Sequence, residues 1–243
     1  MSLGYDHSGN TELYSSKAVK ILIMDGENLK VKDTIYNTPK GKLIYNIVTD
    51  ENSNIFFVES DSISKYDPIT KKISKLEINK FYLNGIKVTR DGRNIFTGST
   101  FSFIYHYKID SNTGTVSYNK SPSYIDFSNS TIAKHESTLI CGSGGAILAK
   151  DFQIQKYLAN EVGGYVTSIF DENDRIIYAI GSSNNLVFKF ENKTGYKNIE
   201  NIPIRSLPSN IFFYDGKLFT IGLSVNFSMG VSKYVLQRIL IQE

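Results

Sequence analysis

An acidic turn recurs along this chain at a nearly constant interval, and few folds accommodate such a rhythm. Met24-Asp25-Gly26-Glu27-Asn28-Leu29-Lys30-Val31 ends one apolar run and opens the next. The same shape returns as Tyr66-Asp67-Pro68-Ile69-Thr70-Lys71-Lys72-Ile73 and as Ile109-Asp110-Ser111-Asn112-Thr113-Gly114-Thr115-Val116. Weaker copies are Lys150-Asp151-Phe152-Gln153-Ile154 and Phe190-Glu191-Asn192-Lys193-Thr194-Gly195-Tyr196. The acids stand at 25, 67, 110, 151 and 191, at intervals of 42, 43, 41 and 40. A short carboxylate accepts backbone N–H bonds across a turn, and Gly takes the positive φ that a tight hairpin needs. These acids are therefore predicted to staple hairpins rather than to catalyse.

A second polar turn recurs out of phase with the first. It appears in Val48-Thr49-Asp50-Glu51-Asn52-Ser53-Asn54-Ile55, in Val88-Thr89-Arg90-Asp91-Gly92-Arg93-Asn94-Ile95 and in Phe170-Asp171-Glu172-Asn173-Asp174-Arg175-Ile176. Phe213-Tyr214-Asp215-Gly216-Lys217-Leu218 is a shorter copy, and Lys134-His135-Glu136 fills the remaining gap. A third feature is Gly98-Ser99, Gly142-Ser143, Gly181-Ser182 and Gly222-Leu223-Ser224. Each repeat thus reads as four short strands, a to d, joined by hairpins within about forty residues, which is the pattern of a propeller blade. No apolar run is long enough to suggest an amphipathic helix.

The predicted fold class is therefore all-β, a β-propeller of four-stranded antiparallel blades. Counting gives six blades, near 10–36, 42–78, 83–119, 129–158, 165–200 and 207–240. The first lacks a clear strand a and the sixth a clear strand d. A five-bladed ring and a fragment of a seven-bladed one stay open. Residues 1–9 are expected to be a tail or a cloning residue, and 10–243 a single domain. In Phe103-Ile104-Tyr105-His106-Tyr107-Lys108-Ile109 the alternation places His106 on a solvent side.

Several of these stretches resemble known propeller families. Ile21 to Val31 resembles blades of the YVTN-type, quinoprotein-like propellers. Asp50 to Asp67, with Asn54-Ile55-Phe56-Phe57-Val58-Glu59, is similar to the virginiamycin B lyase and gluconolactonase-like branch. Val166-Thr167-Ser168-Ile169-Phe170-Asp171 resembles two-component-regulator propellers. Asp91-Gly92-Arg93 through Gly98-Ser99 resembles WD40 blades, although the Trp-Asp and Gly-His landmarks are absent. The resemblance implies a fold; propellers host many unrelated activities. The lactonase and lyase branch implies a divalent metal at the channel mouth or a catalytic His. The quinone-dependent branch implies Trp-rich blade docking, and this chain has no Trp.

Charge and composition narrow the partners. The net charge is +3, with basic residues dispersed, so nucleic acid is not expected. Cys141 is the only cysteine and lies in the apolar run Leu139-Ile140-Cys141, as a small buried hydrophobe would. No stretch approaches the ~20 apolar residues of a membrane span. A cytoplasmic location is expected, with export after removal of a signal peptide left open.

The remaining motifs read more simply as turns than as sites. Asp50-Glu51-Asn52-Ser53-Asn54 opens like a calcium loop, but Ile55 stands where Gly is required and Asp61 where Glu is. Gly142-Ser143-Gly144-Gly145 lacks the Gly-Lys-Ser/Thr of a phosphate cradle and reads as a b–c hairpin. Neither His7, His106 nor His135 matches a catalytic position. Polar residues of the innermost strands, Asn46, Asn84, Ser130, Thr167 and Asn210, are expected near a central channel. Gly222 to Gly230 is expected to be the longest irregular loop, offering Phe227 and Met229 to a partner. The expected function is a non-catalytic binding or scaffold protein that engages a protein or peptide and needs no cofactor. The alternatives are a metal-dependent lactonase or lyase, with Glu59 as its weak metal candidate, and a small-ligand sensor.

Overall fold

The structure is a computed structural model. It describes residues 2–6, 20–24, 28, 30–36, 44, 46–59, 62–76, 85–98, 103–110, 116–121, 124–127, 129–133, 138–149, 151–193, 195–214, 216–226 and 231–241. The protein is all-β. Its described strands form six antiparallel sheets, each joining strands in sequence order. The chain divides into two compact units, Met1–Ile86 and Lys87–Glu243.

In the first unit, β1 (Ser2–Asp6), β2 (Lys20–Met24) and β3 (Val31–Tyr36) form a three-stranded sheet. Residues 1–9 are thus not a simple tail, because Ser2–Asp6 pairs along β2. The second sheet is β4 (Asn46–Thr49), β5 (Ile55–Val58), β6 (Ile63–Asp67) and β7 (Lys72–Leu76). Ile21, Ile23 and Ile35 of the first sheet bury against Ile55, Phe57 and Tyr66 of the second.

The unit boundary falls inside β8 (Gly85–Val88), which heads a sheet with β9 (Asn94–Gly98), β10 (Tyr105–Ile109) and β11 (Val116–Lys120). Next come β12 (Thr131–Ile132), β13 (Leu139–Cys141), β14 (Ala146–Leu148) and β15 (Ile154–Tyr157). A single helical turn, α1 (Ala159–Val162), leads to the fifth sheet: β16 (Val166–Phe170), β17 (Ile176–Gly181), β18 (Leu186–Glu191) and β19 (Asn198–Pro203). The sixth sheet has three strands, β20 (Leu207–Tyr214), β21 (Lys217–Asn226) and β22 (Val231–Ile239).

Period 2 along the middle strands sends alternate side chains into different cores. Leu139 and Cys141 enter a core shared with Phe96, Ile104 and Phe127, on the side of the third sheet. Ile140, between them, points the other way into a core with Val166, Phe170, Ile177 and Phe190 of the fifth sheet. β17 repeats the arrangement: Ile177 and Ala179 join that core, while Tyr178 and Ile180 join Ile211, Leu218 and Ile239 of the sixth sheet. Successive sheets of the second unit therefore stack face to face. Their first strands also lie alongside one another, β12 by β16 and β16 by β20. Burial on both faces explains why β13, β14 and β17 read as continuous apolar runs. The fourth strands are wet: Val116–Lys120 is exposed throughout.

Both predicted turns carry their staples. Asp67 Oδ1 accepts the amides of Ile69 (2.8 Å) and Thr70 (3.2 Å), and Asp151 Oδ1 accepts that of Gln153 (3.1 Å). In the second turn, Asp50 Oδ1 accepts Asn52 N and Asn54 N, both at 2.9 Å. Asp171 Oδ1 accepts Arg175 N (2.6 Å) and Ile176 N (3.0 Å). Asp25 lies outside the described residues. Gly181, which ends β17, and Gly222, within β21, answer close backbone approach. A Cβ on Gly181 would collide with the carbonyl oxygens of Gly163 and Val162, and one on Gly222 with that of Leu207.

One expectation is corrected here. Gly222 does not open an irregular loop: β21 continues to Asn226 and pairs with β22 in unbroken register from Leu218↔Ile239 to Asn226↔Val231. The run Gly222-Leu223-Ser224-Val225-Asn226 is strand because the facing strand is long enough to satisfy its backbone. β22 has no partner beyond β21 among the described residues, and it exposes Tyr234 (82%), Leu236 (63%) and, just past its end, Leu240 (74%).

Three substitutions separate staple from approach. Gly181→Ala should cost about 3 kcal/mol, because overpacking against a carbonyl cannot be relieved by a rotamer change. Asp171→Ala should cost about 2 kcal/mol through two lost charge-assisted bonds, and Asp171→Asn appreciably less because the amide oxygen still accepts. Urea denaturation midpoints of the three variants check both expectations.

Candidate functional site

The Gly-Ser turn of the fourth sheet is built more rigidly than a hairpin requires. Leu139-Ile140-Cys141 ends in Gly142-Ser143-Gly144-Gly145, with positive φ at Gly142 (76°) and Gly145 (59°). Gly145 N donates to Gly142 O at 3.0 Å, closing the turn. Its other carbonyls are taken by chain that follows. Ser143 O accepts Val166 N (2.9 Å), Gly144 O accepts Ala159 N (3.0 Å) and Gly145 O accepts Leu158 N (3.1 Å). A Cβ on Gly145 would stand 2.8 Å from Val166 Cγ1, so that position also requires glycine for space.

Beside this turn runs Tyr124-Ile125-Asp126-Phe127, the segment preceding β12. Ile125 and Phe127 are buried in the core, which turns Tyr124 outward and leaves Asp126 half-buried. Ser143 N donates to Asp126 Oδ2 at 3.2 Å. Between the turn, this segment and β15 lies an open cavity of about 370 Å³, lined by Tyr124, Asp126, Ser143, Ala146, Ile154 and Tyr157 among others. Its volume is in the range of small-ligand pockets. Tyr124 is 71% exposed and Tyr157 45%. The Tyr124 ring packs on Phe103 (centroids 4.6 Å apart), and Lys120 Nζ sits 4.5 Å over the Phe103 ring. Cys141 forms part of the cavity floor; burial, and then the charge of Asp126, push its thiol up to about 12.

The residues singled out in the sequence take several local environments. In the first unit, Asn46 is half-buried on β4. In the second, Ser130 is half-buried just before β12 and Thr167 half-buried on β16. Asn210 is exposed on β20, and its Oδ1 accepts the amide of Ile211 at 2.8 Å. Asn84, Phe227, Met229, His7 and His135 lie outside the described residues. The carboxylate of Asp50 is turned onto its own loop and Asn54 Nδ2 (2.7 Å), as a hairpin staple rather than a calcium ligand.

Glu59 is fully buried. Its Oε2 accepts Ser62 Oγ (2.8 Å) and Lys75 Nζ (3.3 Å), while Oε1 has no partner among the described residues. No group of three or more His, Cys, Asp or Glu stands together as a metal site among those residues. No helix there is long and apolar enough to cross a membrane.

His106 departs from its expected solvent side. Its ring stacks on Phe96 (4.3 Å, 2° between planes), its register partner, and Nε2 lies 3.0 Å from Asn94 Oδ1. Burial, and then Lys108, hold its pKa below the ordinary 6.5. No sequence motif singles out Asp126, Tyr124 or Tyr157. Tyr124-Ile125-Asp126 belongs to no recurring turn, and Tyr157 reads as an ordinary outer-strand aromatic. The available signal was that this segment breaks the repeat.

The sequence matches no model of a known protein family. No curated protein matches it either.

Two titrations follow from these environments. The Cys141 thiol should react with a disulfide reagent at pH 8 only as fast as the protein opens, because almost no thiolate forms below pH 9. Reaction at the rate of a free thiol would contradict the burial. His106 binds its proton more weakly folded than unfolded. Its contribution to stability should therefore be complete above pH 6.5 and be lost as pH falls through the folded value. An NMR titration midpoint above 6.5 would reverse that sign.

Proposed function

We propose that the chain is a six-bladed β-propeller acting as a non-catalytic binding module, which engages a protein or peptide at the loop edge carrying its Gly-Ser turns. The observation that carries the reading is the pocket beside Gly142-Ser143-Gly144-Gly145. It is a preformed concavity on a backbone held by four hydrogen bonds, flanked by two exposed tyrosines. Rigid aromatic anchors around a preformed hollow are economical binding elements, since little entropy is lost when a partner docks. The stacking of consecutive sheets and the adjacency of β12, β16 and β20 support the propeller.

The chemistry nearby favours binding over turnover. The one thiol is buried and held protonated, and the described His106 is occupied by Phe96 and Asn94. For the lactonase or lyase alternative, Glu59 has one carboxylate oxygen engaged by Ser62 and Lys75, and no set of three or more His, Cys, Asp or Glu gathers around a metal position among the described residues.

Selection from a random peptide library on the purified protein tests the proposal. Enriched peptides should bind the wild type and lose at least tenfold in affinity against Tyr157→Ala. Circular dichroism should show that variant folded. Failure to enrich any peptide, or equal binding by Tyr157→Ala, would overturn this assignment.

A further inference from the structure

We infer that residues 158–165 form a latched strap over the loop edge of the fourth and fifth sheets, one that opens as a unit, with the Lys156 ammonium as its latch. The strap connects β15 to β16 and joins two neighbouring Gly-Ser turns. Its first amides bond the glycine turn of the fourth sheet. Leu158 N donates to Gly145 O (3.1 Å) and Ala159 N to Gly144 O (3.0 Å). Its far end is held by the corresponding turn of the fifth sheet. Asn184 Nδ2 donates to Val162 O (2.6 Å), Tyr165 N to Ser182 Oγ (3.0 Å) and Ser182 N to Tyr165 O (3.0 Å).

Between these ends the strap has little hold of its own. α1 is four residues long, far below the ~12–15 at which a helix persists unaided. Gly163 and Gly164 both take positive φ (78° and 66°) and bring no side chain to the core. Only Leu158 and Val162 of the strap are buried, one helical turn apart. Closure also carries a cost. Asn184 Oδ1 is enclosed with no hydrogen-bond partner among the described residues. Water would satisfy that oxygen on opening, so it works against the closed form.

Charge supplies the hold that the strap lacks. Lys156 Nζ lies 2.6 Å from Glu161 Oε1 on α1 and 2.6 Å from the carbonyl oxygen of Tyr196, in the β18–β19 turn. It also stands 5.1 Å over the Phe190 ring. One ammonium on β15 thus ties the strap to both sheets. Its side chain is only 19% exposed, and a partly buried pair is screened far less than a surface one.

Opening frees the carbonyls of Gly144 and Gly145 and uncovers the core that Leu158 and Val162 share with Ile140, Ile147 and Val166. The strap therefore governs access to this edge. The inference goes beyond the binding reading and does not depend on it, because no ligand enters its test.

Native-state hydrogen exchange of the full chain, read by NMR, is that test. The amides of Ala159, Gly163 and Tyr165 report the strap. Those of Ala133 and Asp171, bonded in turns at the other end of the same two sheets, serve as reference. In the wild type the three strap amides should share one opening, of lower free energy than the reference amides. Lys156→Met keeps the stem and removes the charge. It should speed exchange at the strap about tenfold and leave the reference amides unmoved. Lys156→Arg, which retains the charge, should stay close to wild type. Glu161→Gln removes the counter-charge at an exposed position and should accelerate the same three amides, which decides the matter should Lys156→Met not fold. Unchanged strap exchange in these neutral variants, unequal responses of the three amides, or equal acceleration of the reference amides would overturn the inference.

Discussion

A sheet with two apolar faces cannot rest with one of them in water, and this requirement organises the second unit. Leu139 and Cys141 face one core while Ile140 faces another. Tyr178 and Ile180 are likewise divided from Ile177 and Ala179. Each such sheet needs a neighbour on both sides, and each neighbour has the same need. Burying a large aliphatic or aromatic side chain contributes roughly 1.5–3 kcal/mol, and the middle strands hold most of them. The outer strands contribute backbone pairing and little burial, which is why Val116–Lys120 tolerates full exposure.

This arrangement was largely legible in the sequence, because it is written in local chemistry. Asp67, Asp151, Asp50 and Asp171 each bond backbone amides within a few residues, so their spacing reports hairpins whatever lies around them. The four-stranded repeat followed directly. Less legible were features set by distant partners. The extension of β21 to Asn226 depends on the length of β22, and glycine and serine within it imitate a turn. The strand at Ser2–Asp6 depends on pairing with β2 across thirteen intervening residues. His106 obeys its alternation, but Phe96 on the neighbouring strand covers it, and cross-strand neighbours cannot be seen from one strand.

The pocket illustrates the same limit. Its carboxylate, its amide and its two tyrosines come from the segment before one sheet, a hairpin within it and its outermost strand. None of these pieces is unusual alone. What joins them is the glycine turn, whose carbonyls are bonded to the chain leading into the next sheet. The recurring Gly-Ser pair was visible as punctuation. Its anchoring to Leu158, Ala159 and Val166 was not, because that depends on how two sheets meet.

The outer edge of the sixth sheet bears on how copies of the molecule behave toward one another. Among the described residues the nine-residue strand β22 is paired only on its β21 side, and Tyr234 and Leu236 are exposed on its surface. An edge of that length and polarity is a template for pairing with another chain. Lys233 and Arg238 are exposed on the same strand, and like charges brought together there repel. Monodispersity should then depend on ionic strength: salt that screens these two cations removes the barrier to edge-to-edge stacking and leaves its apolar drive intact.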